Sequence, residues 1–279
     1  MTPRLPWPLA YPVSGDDCAT PMPLGFAAPL AEAVGHLAEL GYDGVEVQVR
    51  RAGPHDAERL ARTVDAACLR VLGIGTGPVA AQDRLTLTDP SADVRRHALS
   101  RLLGAARLAA ELGVPVTLGQ TRGTFLPGLR DIQRLWAERA VERLAEAAHT
   151  HGSRLLLEPQ SCATTSLWHT PEETSAFIDA LDVPAGLVLD THHLDAEGVD
   201  PVRAVTRHAP ATGCLQLAAP ATRGPLTVGD PRLPALLKAL RSAGFSGWLT
   251  LEHTQDGHSH KAAARSWTAL DDAAATLTT

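Results

Sequence analysis

The chain has 279 residues, 44% of them hydrophobic and 20% charged, with a formal net charge of −6 and a pI near 6.0. That balance supplies a large core and excludes wholesale disorder, and it offers a nucleic-acid backbone no basic stripe longer than Arg50-Arg51 or Arg95-Arg96. Cys18, Cys68, Cys162 and Cys214 are scattered without a CxxC pair, as in a reduced cytoplasmic protein, and neither a signal peptide nor a run of ~20 apolar residues for a membrane span is found.

In chain order the pattern alternates short β-rich runs with longer amphipathic ones. A first strand is expected at Leu9–Tyr11, although proline crowds the segment from Leu5 to Pro12. Helix Pro29–Leu40 follows, then strand Gly44–Val49, helix Asp56–Cys68, strand Arg70–Gly75, helix Ala92–Leu112 and strand Val114–Gly119. The second half repeats the scheme: helix Arg130–His151, strand Arg154–Glu158, helix Pro171–Leu181, strand Gly186–Asp190, helix Pro201–His208, strand Gly213–Leu217, helix Leu233–Ala243, strand Trp248–Glu252 and a last helix over Lys261–Leu277. Glycines after Leu40, Leu112, His151 and Ala243 suit the left-handed position past a helix end. Thr170-Pro171-Glu172-Glu173 supplies an N-cap, a proline at the first helical position and acidic residues against the positive helix end. Eight strand–helix repeats predict an α/β fold, a (β/α)8 barrel, and no linker divides residues 1–279, so a single domain is expected.

Four polar residues close four of these strands: Glu158, Asp190, Gln216 and Glu252, spaced 32, 26 and 36 residues apart. In a closed parallel barrel such residues converge on one mouth. Three carboxylates and a carboxamide meeting there repel one another without a cation, and an oxygen-rich set suits one hard divalent ion, Mn²⁺ or Mg²⁺, with Co²⁺ or Zn²⁺ as alternatives. Taken singly, each reads differently. A strand-end acid is more often a loop cap or ion-pair partner, Gln216 is equally a hydrogen-bonded core amide, and a loop arginine is often merely solvated.

The chain resembles the xylose-isomerase-like barrel superfamily of sugar isomerases and epimerases. The resemblance rests on Leu40-Gly41-Tyr42-Asp43-Gly44-Val45-Glu46-Val47, Leu157-Glu158-Pro159, Leu189-Asp190-Thr191-His192-His193 and Gly244-Phe245-Ser246-Gly247-Trp248-Leu249-Thr250-Leu251-Glu252. It implies one divalent ion held by Glu158, Asp190, Gln216 and Glu252. It also implies a small carbohydrate-like substrate, and relatives are commonly dimers or tetramers, so a homo-oligomer is an open alternative. Gln216 departs from the histidine of the common sugar epimerases, and Gln160-Ser161 from their Leu-Asn after Glu158-Pro159.

Isomerisation or epimerisation beside a carbonyl removes a proton from the adjacent carbon, and a divalent ion stabilises the enediolate that results. Glu158 and Glu252 are the expected proton-transfer pair, with Asp190 and Gln216 as ligands. By the same resemblance His193 and Arg223 are expected on substrate oxygens; Glu46 is expected in support of the mouth, and Trp168 as a pocket wall. Extra zinc-binding histidines of the family's DNA-repair endonucleases are replaced by Thr76 and Gln120, which argues against three zinc ions and against nucleic acid as partner. Two other readings stay open: a lyase or dehydratase that begins with the same proton abstraction, and a metal-binding barrel that serves as a non-catalytic subunit.

Overall fold

A computed structural model describes residues 5–53 and 55–278. Eight parallel strands close in sequence order, each paired to the next and β8 to β1. They are β1 Leu9–Ser14, β2 Gly44–Gln48, β3 Arg70–Gly75, β4 Val116–Leu118, β5 Leu155–Leu157, β6 Ala185–Asp190, β7 Thr212–Gln216 and β8 Trp248–Thr250. The helices are α1 Leu30–Leu40, α2 Asp56–Ala66, α3 Gly77–Ala81, α4 Ala92–Glu111, α5 Arg130–Thr150, α6 Pro171–Asp179, α7 Thr191–Ala196, α8 Pro201–His208, α9 Arg232–Ser242 and α10 Ser259–Ala275. The expected barrel is therefore observed.

Side-chain alternation along the strands builds two separate cores. Tyr11, Val13, Val45, Val47, Leu155, Leu157, Leu187, Leu189, Leu215, Leu249 and Leu251 belong to the large outer cluster beneath the helices. Ala10, Leu156, Val188, Cys214 and Trp248, of the opposite parity, fill the barrel interior with Leu72 against them. Parity therefore turns Glu158, Asp190, Gln216 and Glu252 inward, two or four residues above Leu156, Val188, Cys214 and Trp248.

Three elements differ from the sequence expectation. β1 runs through Pro12 to Ser14. Only Leu9 and Ala10 pair with β8, and the Pro12 carbonyl accepts Phe26 N–H at 2.8 Å, so the missing proline N–H falls where no ladder bond is due. The short helices α3 and α7 were not expected, since neither is long enough to show a periodicity. α7 starts directly at the β6 terminus, where Asp190 caps it by accepting His192 N–H. The Thr170 cap on α6 is observed, with its hydroxyl accepting Glu173 N–H at 3.2 Å. No described helix is long and apolar enough to cross a membrane.

Candidate metal centre at the barrel mouth

Glu158 follows β5, Asp190 and Gln216 end β6 and β7 in register with each other, and Glu252 lies two residues past Thr250 of β8. Glu158, Gln216 and Glu252 line one cavity of about 110 Å³, together with Glu46, His193 and Arg223, and Asp190 lies just behind it, bonded to Arg223. Pro12, Met22 and Leu24 form its apolar side. Glu158 is fitted over β4 by Gly119, since a Cβ there would collide with Glu158 Oε2 and stand 2.6 Å from Gln160 Nε2.

Glu158 and Gln216 each keep one buried oxygen unpartnered among the described residues, while Asp190 and Glu252 share Arg223. Glu158 Oε2 accepts Gln160 Nε2 at 2.9 Å, while its buried Oε1 has no partner among the described residues. Asp190 Oδ1 accepts His192 N–H at 2.8 Å. The Gln216 amide donates to Glu46, leaving Gln216 Oε1 buried and without a partner among the described residues. Arg223 Nη2 bridges Asp190 Oδ2 and Glu252 Oε2, 2.8 Å from each. His193 Nε2 lies 3.6 Å from Glu158 Oε1 and 3.7 Å from Asp190 Oδ2. Ligand atoms of Glu158, Asp190 and His193 fall within 4.8 Å of one another, a grouping able to hold a metal ion. Unpartnered buried acceptors beside clustered carboxylates are the environment a hard divalent cation satisfies.

Electrostatics agree. Burial holds the Glu158 carboxyl well above the usual carboxylate range, and the charges of Glu252 and Asp190 push it the same way. Burial raises Glu252 to about 8, with Arg223 pulling against it. Glu46, fully buried, is raised to about 7 by desolvation and restrained by hydrogen bonds from Gln216, Gln48, Thr117 and Thr250. Such shifts mean that Arg223 only partly offsets the burial of these carboxylates, and a bound ion would add counter-charge. Burial lowers His193 to about 4, so its ring is neutral at pH 7. Its Nδ1 accepts Ser161 N–H at 3.3 Å, which leaves the proton on Nε2, facing the two carboxylates.

The remaining expected residues fall in different places. Glu46 lies at the cavity floor, 0% exposed. Trp168 is outside the cavity lining: its ring packs on Phe177 with centroids 4.3 Å apart, with the Arg122 guanidinium 5.6 Å from its ring centre. Its φ of 53° turns the chain so that the indole enters the outer core. Thr76 is committed to the Thr117 carbonyl at 2.8 Å. Sequence reasoning did not single out Met22, Leu24 and Gln48, which line the cavity. Gln48 carried a signal in its even spacing from Glu46; the loop residues Met22 and Leu24 carried none. Arg122 was also passed over. It is fully buried, donates from Nε to the Gly119 carbonyl at 3.0 Å, and has no hydrogen-bond partner at either Nη among the described residues.

The family model for xylose isomerase-like TIM barrels matches residues 34–273. The chain is 27% identical over 255 residues to a putative hydroxypyruvate isomerase of Streptomyces coelicolor, covering 86% of this chain and 90% of that one. It is also 27% identical over 234 residues to an L-ribulose 3-epimerase of Methylomonas sp., covering 81% and 79%. Among solved structures, a 3-keto-D-glucoside 4-epimerase from E. coli superposes with a TM-score of 0.72 at 17% identity, over 96% of this chain and 99% of that one.

Proposed function

This chain belongs to the family of xylose isomerase-like TIM barrels, and on that footing we propose that it is a divalent-metal-dependent isomerase or epimerase of a small sugar or hydroxy-carbonyl compound. The observation that carries this reading is the buried meeting of the Glu158 and Asp190 carboxylates beside His193, with bare Glu158 and Gln216 oxygens facing one cavity. Relatives named as a putative hydroxypyruvate isomerase and an L-ribulose 3-epimerase support the substrate class.

Glu158, Asp190, Gln216 and Glu252 would hold the ion, with His193 adjoining. When bound, a divalent ion supplies Lewis-acid polarisation of the substrate carbonyl. Glu158 takes the proton from the carbon beside that carbonyl, and Glu252, from a different strand end, returns one to the same or the neighbouring carbon. Burial makes both carboxylates basic, and close positioning offsets the acidifying effect of a nearby cation. His193 donates Nε2–H to a substrate oxygen, and Glu46 orients Gln216 from below. The cavity's volume and its apolar side at Met22 and Leu24 favour a small substrate over a polymer or nucleic acid.

The test is incubation of the purified protein with Mn²⁺ and a panel of hydroxypyruvate, ketoses, inososes and 3-dehydroshikimate, in ²H₂O. Deuterium entering the carbon beside the carbonyl, without new ultraviolet absorbance, is the expected result. A conjugated enone would convert the assignment to a lyase. Metal-dependent thermal stabilisation with no exchange on any substrate would point to a binding subunit instead.

A further inference from the structure

One guanidinium nitrogen stands between two of the mouth carboxylates. Arg223 Nη2 donates to Asp190 Oδ2 and to Glu252 Oε2, 2.8 Å each way. The other Asp190 oxygen is taken by the backbone N–H of His192, so Oδ2 is the oxygen turned toward the mouth. It is also the Asp190 oxygen 3.7 Å from His193 Nε2. The Asp190 oxygen best placed for an ion is thus the one Arg223 holds.

The loop is built so that the side chain alone makes this link. The Arg223 backbone is pinned: its N–H donates to the Ala219 carbonyl at 3.1 Å, Gly224 accepts Ala219 N–H at 2.8 Å, and Thr254 N–H donates to the Arg223 carbonyl at 2.8 Å. Ala221 and Arg223 have φ of 61° and 51°, left-handed values that are costly for side chains with a Cβ and are fixed here by these bonds. Among the described residues the guanidinium's hydrogen bonds all run through Nη2, and its buried Nε has none. It can therefore leave the carboxylates without the loop unfolding.

We infer that Arg223 is an internal cation that competes with the divalent ion for Asp190 and Glu252, so that ion binding displaces Nη2 and releases the guanidinium into the cavity it already lines. A guanidinium and a dication at the same oxygens repel each other strongly where water is scarce. Before the ion enters, Arg223 supplies the positive charge that lets two buried carboxylates sit together; afterwards it is free for a substrate oxygen. The order is ion first, substrate second. This inference rests on the metal reading proposed above.

The experiment is titration of Mn²⁺ into EDTA-stripped protein without substrate, with free Mn²⁺ read by electron paramagnetic resonance, for wild type, Arg223→Met and Arg223→Lys. Removing two charge-assisted hydrogen bonds that oppose the ion should tighten Mn²⁺ binding on the order of tenfold in Arg223→Met. Arg223→Lys should fall between, since lysine keeps the charge but loses the planar fork. Equal or weaker binding in Arg223→Met overturns the inference while leaving the metal reading intact. Absence of Mn²⁺ binding in both wild type and variant removes the metal reading, and this inference with it. Because Arg223→Met leaves two carboxylates without their neighbour and can lose fold, wild type provides a second measurement. The ¹⁵N-guanidinium resonance of Arg223 should lose its hydrogen-bond protection on adding Mg²⁺, and a resonance that does not change overturns the exchange.

Discussion

The amide of Gln216 donates to the buried carboxylate of Glu46, and this one contact decides that the Gln216 carbonyl oxygen faces the cavity. A carboxylate only accepts, so the NH₂ end of the amide must turn toward it. The strand-end glutamine thereby presents an acceptor where a cation is expected. Glu46 also receives Gln48 Nε2 at 3.1 Å and lies 3.5 Å from the Thr117 and Thr250 hydroxyls, which ties four strands together beneath the mouth.

Glu46→Leu is expected to strand those buried donors, at a cost of ~1–3 kcal/mol for each one left unpaired. Glu46→Gln keeps an acceptor and should retain most of the stability while loosening Gln216. Its Mn²⁺ affinity should drop roughly 10–100-fold, the usual effect of removing a partner behind a metal ligand. Chemical denaturation and Mn²⁺ titration of the two variants separate these effects.

The proton-transfer pair gives a sharper contrast. Glu158→Gln and Glu252→Gln should each lower kcat by about 10²–10⁴-fold, the range that general acid–base groups contribute. Asp190→Asn should act mainly on the metal titration. Normal turnover in Glu252→Gln would refute its role in moving the proton.

Stability should depend on pH in a direction set by the raised carboxyls. A glutamate with an ordinary value of 4.5 that is lifted to about 8 at Glu252 and about 7 at Glu46 binds its proton more tightly in the folded protein. The stabilising contribution is complete below 4.5 and is lost as pH rises through 7 to 8. EDTA-stripped protein should therefore melt at a lower temperature at pH 9 than at pH 6. Added Mn²⁺ should cancel most of that fall, and its stabilisation should grow with pH as the carboxylates ionise. A stripped protein that melts higher at pH 9 would contradict the assignment.

Gly119→Ala tests how closely the mouth is packed. The new Cβ would collide with Glu158 Oε2 and press on Gln160 Nε2 at 2.6 Å, so Glu158 must move. Mn²⁺ affinity should weaken by roughly tenfold or more, as for lost support of a ligand, with a smaller effect on melting temperature than on turnover. Unchanged metal binding would mean that Glu158 does not take part in it.

The sequence by itself determined the barrel and the convergence of four polar strand ends on one mouth. Strand and helix periods record which faces are buried, and the even spacing of Glu158 from Leu156, Asp190 from Val188, Gln216 from Cys214 and Glu252 from Trp248 places those side chains above the interior cluster. Proline density at Pro12 misled the reading of β1, because whether a missing N–H matters depends on where the neighbouring strand stops. Only the tertiary structure decided the rest. Trp168 and Arg223 both lie in loops after strands. One packs into the outer core on Phe177, and the other reaches Asp190 and Glu252. Their destinations follow from left-handed turns at both residues and, for Arg223, from partners about 30 residues away in the chain, to which local hydrophobic pattern is blind. The same is true of Met22 and Leu24, which reach the cavity because the loop after β1 folds back on that strand, with Met22 N–H donating to the Ser14 hydroxyl and Phe26 N–H to the Pro12 carbonyl.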